Sequence, residues 1–318
     1  MQSYIVRSTI LILALTAAVI SESFADNEVV TATKKHEVSA GAGGGHQHYV
    51  QSDEGQKPGP HGQLAPRLHN LGEHTFSVST RNPLAQQYMN QGLNLAYAFN
   101  HAEARRAFRE AARLDPGLAM AYWGQAEQRA ANDKAYAEAM RKVHQRFPDD
   151  ADIAMLYVES MMDLRPWGYW MLDGQPYEGT AEIVALTEEM LRHNPKHPGA
   201  LHMYIHLIES TSTPERAEKA ADTLLTLLPA AGHLIHMSSH IYQRVGRYAD
   251  SMKSNQLAIA ADEDYITQCH AQGLYPMVYY PHNIHFLWFA ATMDGQSKIA
   301  IQSAREVASK IDDEVLNV

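Results

Sequence analysis

A chain of 318 residues with 45% hydrophobic and 19% charged positions has the composition of a folded protein, which excludes disorder throughout and leaves room for one sizeable domain. A formal net charge of −10, without a clustered basic face, excludes nucleic acid as a natural partner. The single cysteine, Cys269, excludes an internal disulfide, so the fold must be held by its core alone.

The N-terminal stretch "MQSYIVRSTILILALTAAVISESFA" carries Arg7, an apolar run from Thr9 to Ile20, and small residues at Ser23 and Ala25. That pattern predicts a secretory signal peptide over residues 1–25, its apolar run being too short to span a bilayer comfortably. Cleavage after Ala25 removes Arg7 and Glu22 together and leaves the net charge unchanged. No cysteine stands where a lipid anchor would attach and no twin arginine precedes the apolar run. The expected product is a periplasmic or secreted chain with no membrane insertion after signal cleavage.

Residues 26–83 are polar, Gly-rich and irregular, centred on "GAGGGHQHYVQSDEGQKPGPHG", and are expected to form a flexible leader. The leader holds His36, His46, His48, His61, His69 and His74. These either scavenge metal loosely or are incidental to a solvated linker.

From Pro83 onward the pattern is helical. Tyr88, Gly92, Leu95, Ala104, Phe108, Ala111 and Pro116 fall at the spacings of a tetratricopeptide repeat, a 34-residue helix-turn-helix unit. Small residues at Gly92 and Ala104 let the paired helices approach, with Phe108 filling the space beside them. Asn100 followed by Glu103 reads as the start of the second helix. Pro148, Pro195 and Pro229 act as later helix stops, the last two separated by one full repeat. About six units follow, beginning near residues 85, 117, 151, 198, 232 and 281, so the predicted fold class is all-α, an α-solenoid of TPR-like units over residues 84–314. The third unit contains the insertion "RPWGYWMLDGQPYEG", and another insertion, including "CHAQGLYPMVYY", precedes the sixth. Their aromatics, Trp167, Tyr169, Trp170, Tyr275, Tyr279 and Tyr280, are either a lid over the inner surface or plugs where the repeat spacing is broken.

Positions 2, 5 and 9 of each first helix share one face. In the last three units those positions are Gly199, His202 and His206; His233, His236 and His240; and His282, His285 and Phe289. Seven of nine are histidine, where random placement of 18 histidines among 318 residues would give fewer than one. Imidazoles four apart on a helix can grip one ion, and neighbouring helices lie about 8–10 Å apart, so rings from adjacent units can converge. Neutral imidazole suits transition metals, copper or zinc first. The predicted metal ligands are therefore His202, His206, His233, His236, His240, His282 and His285, more than one ion needs. Met203 and Met237 follow lattice histidines and read as core residues, as His101 reads as structural. Carboxylates are scarce here: Glu209 is the candidate general base of a metal-activated reaction, and Glu159 a further acidic neighbour. Cys269 beside His270 reads either as a ligand or as a lone, partly buried thiol. The alternative use of such a surface is a scaffold whose groove binds a peptide or protein partner, its histidines serving as polar or protonatable contacts.

The blocks "FNHAEARRAFREAARLDPGLAMAYWG", "DLRPWGYW", "HPGALHMYIHLIE", "GHLIHMSSHIYQRVGRYADS" and "YYPHNIHF" resemble those of exported bacterial tetratricopeptide-repeat proteins. The resemblance covers most of residues 85–310 and implies the same fold and the same seven-histidine set. In one respect the chain departs from it: "QAEQRAANDKAYAEAM" directly follows "YWG", where such proteins have a Gly-Pro-Asn stretch and a longer segment, so the second unit is abbreviated.

Overall fold

The computed structural model describes residues 62–126, 133–269 and 275–310. The signal peptide, the first part of the leader with His36, His46, His48 and His61, and His270 lie outside the described residues. Twelve α-helices follow one another among the described residues: α1 Pro83–Tyr97 packs with α2 His101–Leu114, α3 Ala119–Ala126 packs back on α2, α4 Asp133–Arg146 packs on the helix after it, and that helix, α5 Ala151–Asp163, packs with α6 Thr180–His193. Then come α7 Pro198–Ile208 with α8 Glu218–Leu227, α9 Gly232–Arg244 with α10 Tyr248–Cys269, and α11 Tyr280–Met293 with α12 Ser297–Lys310. This is an all-α solenoid of six TPR-like units. None of these helices is long and apolar enough to cross a membrane.

Each pair is held by its apolar stripe. In the first, Phe108 is fully buried and its ring lies where a Cβ on Gly92 would stand only 2.5 Å away. Burial of such a ring stabilises by about 1.5–3 kcal/mol, and the bare backbone at residue 92 is what admits it. The second helix begins where the sequence predicts, at His101 with Asn100 as its N-terminal cap position. Asn100 makes no side-chain cap bond, because its Oδ1 accepts from the Tyr265 hydroxyl at 3.3 Å, while Glu103 accepts from Arg106 at 2.8 Å.

That Tyr265 bond exposes a departure from simple stacking, in which each unit touches only its neighbours. The first unit also meets the fourth and fifth. Gly199, at the start of α7, is where Tyr97 and Met155 close in: a Cβ there would stand 2.8 Å from both side chains. The turn after α1 therefore reaches into the inner surface of the array, with Phe99 in the left-handed region at φ 55°.

Part of the segment assigned by composition to the leader is bound rather than free. Residues 62–82 run as an extended strap along α1, whose side-chain amides replace a neighbouring strand. Gln86 donates to the Phe76 carbonyl at 2.8 Å and accepts from the Val78 N–H at 3.0 Å. Gln91 accepts from the Leu68 N–H at 3.0 Å and donates to the Pro66 carbonyl at 2.9 Å. Asn94 donates to the Leu71 and His74 carbonyls at 3.3 and 3.2 Å. Farther along, the Ala230 N–H donates to the Asn70 carbonyl at 3.0 Å, tying the strap to the fourth unit.

Because the Phe108 ring has no room to retreat, Gly92→Ala is expected to destabilise the protein by about 1–3 kcal/mol, read as a lowered urea midpoint with an unchanged slope.

Candidate metal centre

The inner faces of α7, α9 and α11 bring six of the seven lattice histidines into two groups. His202, His206 and His233 form one triad and His236, His240 and His282 the other; in each, one ring nitrogen per residue lies within 4.8 Å of the other two. The triads adjoin, with ring centroids of His206 and His240, and of His233 and His236, both 5.8 Å apart. His285 is exposed and rests against Trp288, outside both triads.

The tautomers are fixed by the partners of Nδ1. In His202 this nitrogen lies 2.6 Å from the Tyr97 carbonyl, which can only accept, so Nδ1 holds the proton and Nε2 a lone pair. In His206 and His240 it lies 2.9 and 2.5 Å from the two oxygens of one carboxylate, Glu209, with the same consequence. In His236 it faces Asn255 Oδ1 at 2.8 Å, and the orientation of that amide is set by its own donation to the Ser251 carbonyl at 2.8 Å. Four lone pairs thus converge on the interior of the cluster.

They find no donor there. Nε2 of His202 and of His206, and both ring nitrogens of His233, are buried without a hydrogen-bond partner among the described residues. In the second triad Nε2 of His236 and Nε2 of His240 face each other at 2.9 Å, two acceptors with no proton of their own to share. Buried polar atoms left unpaired cost about 1–3 kcal/mol each, so their concentration at one place points to a ligand.

Burial and neighbouring imidazoles hold His202, His233 and His236 well below the ordinary histidine range, which keeps them neutral. Burial would raise Glu209, but its hydrogen bonds and attraction to His206 and His240 outweigh that and hold it well below the usual carboxylate range. Phenylalanines complete the walls. Phe99 lies 4.5, 5.9 and 5.4 Å from the rings of His202, His206 and His233, and Phe286 lies 4.6 Å from each ring of the second triad. Neither was singled out in the sequence; Phe286 sits three positions before the lattice position Phe289, which is exposed.

The insertion aromatics divide between the two roles open to them. Trp167 meets His206 edge-on at 6.3 Å and Tyr279 meets His233 at 4.8 Å, whereas Tyr169 and Tyr275 are buried plugs. Trp170 donates to the Leu207 carbonyl at 2.7 Å, and Tyr280 to Glu263 at 2.9 Å. Cys269 is buried with Tyr265 and Tyr275, away from both triads, and burial pushes its thiol up. Met203 and Met237 are core residues.

A third group, His74, Asp152 and His197, joins the strap to α5 and α7. Here the tautomer is reversed. His197 Nδ1 accepts from the Ala200 N–H at 3.2 Å as a helix cap, so its proton sits on Nε2, 3.3 Å from Asp152 Oδ1. Asp152 also accepts from the Tyr97 hydroxyl at 2.6 Å and faces His74 Nε2 at 3.0 Å. The strap is clamped through the Tyr97 and His74 contacts; His197 Nε2 is itself buried without a hydrogen-bond partner among the described residues, but it carries the proton, so no lone pair of His197 is left for an ion.

No family model matches the chain, and no curated protein matches it in sequence. Among solved structures, the MamA RS-1 ArsTM double mutant is 12% identical with a TM-score of 0.38, covering 73% of this chain and 96% of its own. PilW, a widely conserved type IV pilus biogenesis factor, is 16% identical with a TM-score of 0.43, covering 74% and 98% respectively.

Behind the site, Asp262 is buried against Gly232, accepting from Tyr275 and Asn283 at 2.8 and 2.7 Å. Burial pushes its carboxyl up to about 7, the two hydrogen bonds recovering only part of the shift. An acid raised in the folded state keeps its proton where the unfolded chain has released it, so stability is lost as pH rises from 3.8 through about 7. Asp262→Asn mimics the protonated form, and Asn283, whose Oδ1 is unpaired, can turn its amide to accept. The variant is expected to match the parent near about pH 3, to pull ahead of it in urea midpoint as pH rises past 3.8, and to exceed it most near about pH 8.

Proposed function

We propose that this protein binds transition-metal ions at two adjoining three-histidine positions, with copper ahead of zinc. The observation that carries the reading is the set of Nε2 lone pairs, fixed by Nδ1 donors and left without partners inside the cluster. Three imidazole nitrogens are the protein share of a site with one open position, and metal–nitrogen bonds of about 2.0–2.1 Å require only that the rings swing inward. The donor set is neutral and the nearest negative charge is Glu209 alone. Two divalent ions would leave more positive charge buried than two copper(I) ions, and burying uncompensated charge is costly. Imidazole also suits copper.

Glu209 is placed to orient ligands rather than to abstract protons. Both its oxygens are engaged by imidazole Nδ1–H groups, and a carboxylate held so far below its usual range is a weak base. When bound, a metal with an open position supplies Lewis-acid or redox chemistry; the chain's own residues hold the imidazoles in register and, through Phe99 and Phe286, keep water off their faces. The scaffold alternative asks the histidines to serve as accessible contacts for a peptide. Their exposure argues against it: His202 and His236 are 0% exposed, His233 3% and His206 6%. The apolar run and small residues of 1–25, with the block resemblance to exported repeat proteins, support action outside the cytoplasm, in the periplasm or beyond.

Elemental analysis of untagged protein, stripped and then reloaded with copper or zinc, tests the reading. Two ions per chain are expected, and a stripped chain that takes up neither metal stoichiometrically overturns it. His206→Ala and His240→Ala are each expected to lose one ion with helix content retained by circular dichroism.

Glu209→Gln replaces two acceptors by one acceptor and one donor, so either His206 or His240 must move its proton to Nε2 and withdraw that lone pair. Copper affinity at the affected position is expected to fall about 10- to 100-fold in competition titrations.

A further inference from the structure

The two positions are built alike but are not equally closed. In the first triad every imidazole is buried, Phe99 covers the rings, and Trp167 and Tyr279 stand against His206 and His233. In the second, His236 is buried but the His240 side chain is 14% exposed, and His282 and Phe286 are half-buried. The anchored sides of that triad point inward: His236 Nδ1 to Asn255 on α10, and His240 Nδ1 to Glu209 and so to the other triad. The remaining side is the one Phe286 covers, its ring 4.6 Å from all three imidazoles.

We propose that only the ion at His236, His240 and His282 accepts an exogenous ligand, that the ligand is a two- or three-atom donor such as a diatomic gas or a linear anion, and that Phe286 sets this size limit. The inference rests on the two-ion reading above. Three nitrogens leave one coordination position vacant on each ion. Phe99, Tyr279 and Phe286 are alike half-buried, so the difference lies in the ligands: all three imidazoles of the first triad are buried, whereas His240 and His282 of the second are partly exposed and give its ion a way to solvent. A phenyl ring in contact with all three imidazoles crowds the approach to the ion, which favours a rod of atoms arriving end-on over a planar ring.

Azide, titrated into protein loaded with two copper(I) ions and then oxidised fully to copper(II), and followed by its ligand-to-metal charge-transfer absorption, tests this. One azide per two coppers is expected, with free imidazole unable to displace it from the parent protein. His282→Ala is expected to keep the copper of the first triad and lose the azide band. In His202→Ala the remaining copper is expected to respond to azide still. Phe286→Ala is expected to let imidazole compete, with at least about a tenfold fall in apparent azide affinity when imidazole is present in tenfold excess over its own Kd.

Two azides per chain, no azide band with both coppers bound, or a band that survives His282→Ala and vanishes in His202→Ala would each overturn the inference and leave the two-ion reading standing. Imidazole displacing azide from the parent as readily as from Phe286→Ala overturns the size limit. A chain that takes up no copper removes both.

Discussion

A neutral imidazole has one proton to give, and where it gives it decides what the other nitrogen can do. Everything at the centre of this protein depends on that constraint. The Tyr97 carbonyl, Asn255 Oδ1 and the two oxygens of Glu209 each take the Nδ1 proton of a different histidine, which turns four Nε2 lone pairs inward. A clamp of similar composition a short way off, His74–Asp152–His197, has the opposite arrangement because a backbone N–H donates to His197 Nδ1. Residue types alone do not distinguish the two groups; the partner of one ring nitrogen does.

Glu209 has a particular place in this scheme. It lies at the end of α7, three residues after His206, and its second oxygen reaches His240 on α9, so one carboxylate sets the tautomer in both triads. A single negative charge shared in this way keeps both imidazoles oriented without adding a direct anionic ligand to either position. In the proposed reading the low net charge of the donor set, and with it a preference for a singly charged ion, would follow from that economy.

Much of the fold was legible in the chain because repeat spacing is a local signal. Tyr88, Gly92, Phe108 and the proline stops mark helices and turns within a few residues of themselves, and the six unit starts fall at the observed pairs. The histidine stripe was legible for the same reason, as i, i+3 and i+4 on one helix face. What was not legible depends on contacts between distant segments. Phe99 and Phe286 carry no spacing signal, since the first is aimed by a left-handed turn and the second packs across units. Asn100 marks the start of α2 as its signature predicts, but its side chain bonds Tyr265, 165 residues away, which no local pattern foretells. The strap reads as linker by composition, because its few apolar core residues, Ala65, Leu71 and Val78, follow no helical or strand period and its backbone is held by amide side chains of α1.

The contact between the first unit and the fourth has a consequence for assembly. His202 receives its acceptor from Tyr97, 105 residues earlier, and the Phe99 ring comes from the same turn. Linear repeat arrays can nucleate anywhere and fray from their ends, but this one cannot complete its inner chamber until its first unit has found its fourth, a long-range step with a large loop-closure cost. Under the proposed two-ion reading, occupancy of the chamber would report that the array has closed, and an ion held there would act as a rivet that makes the outer repeats answer to one another as a single cooperative body.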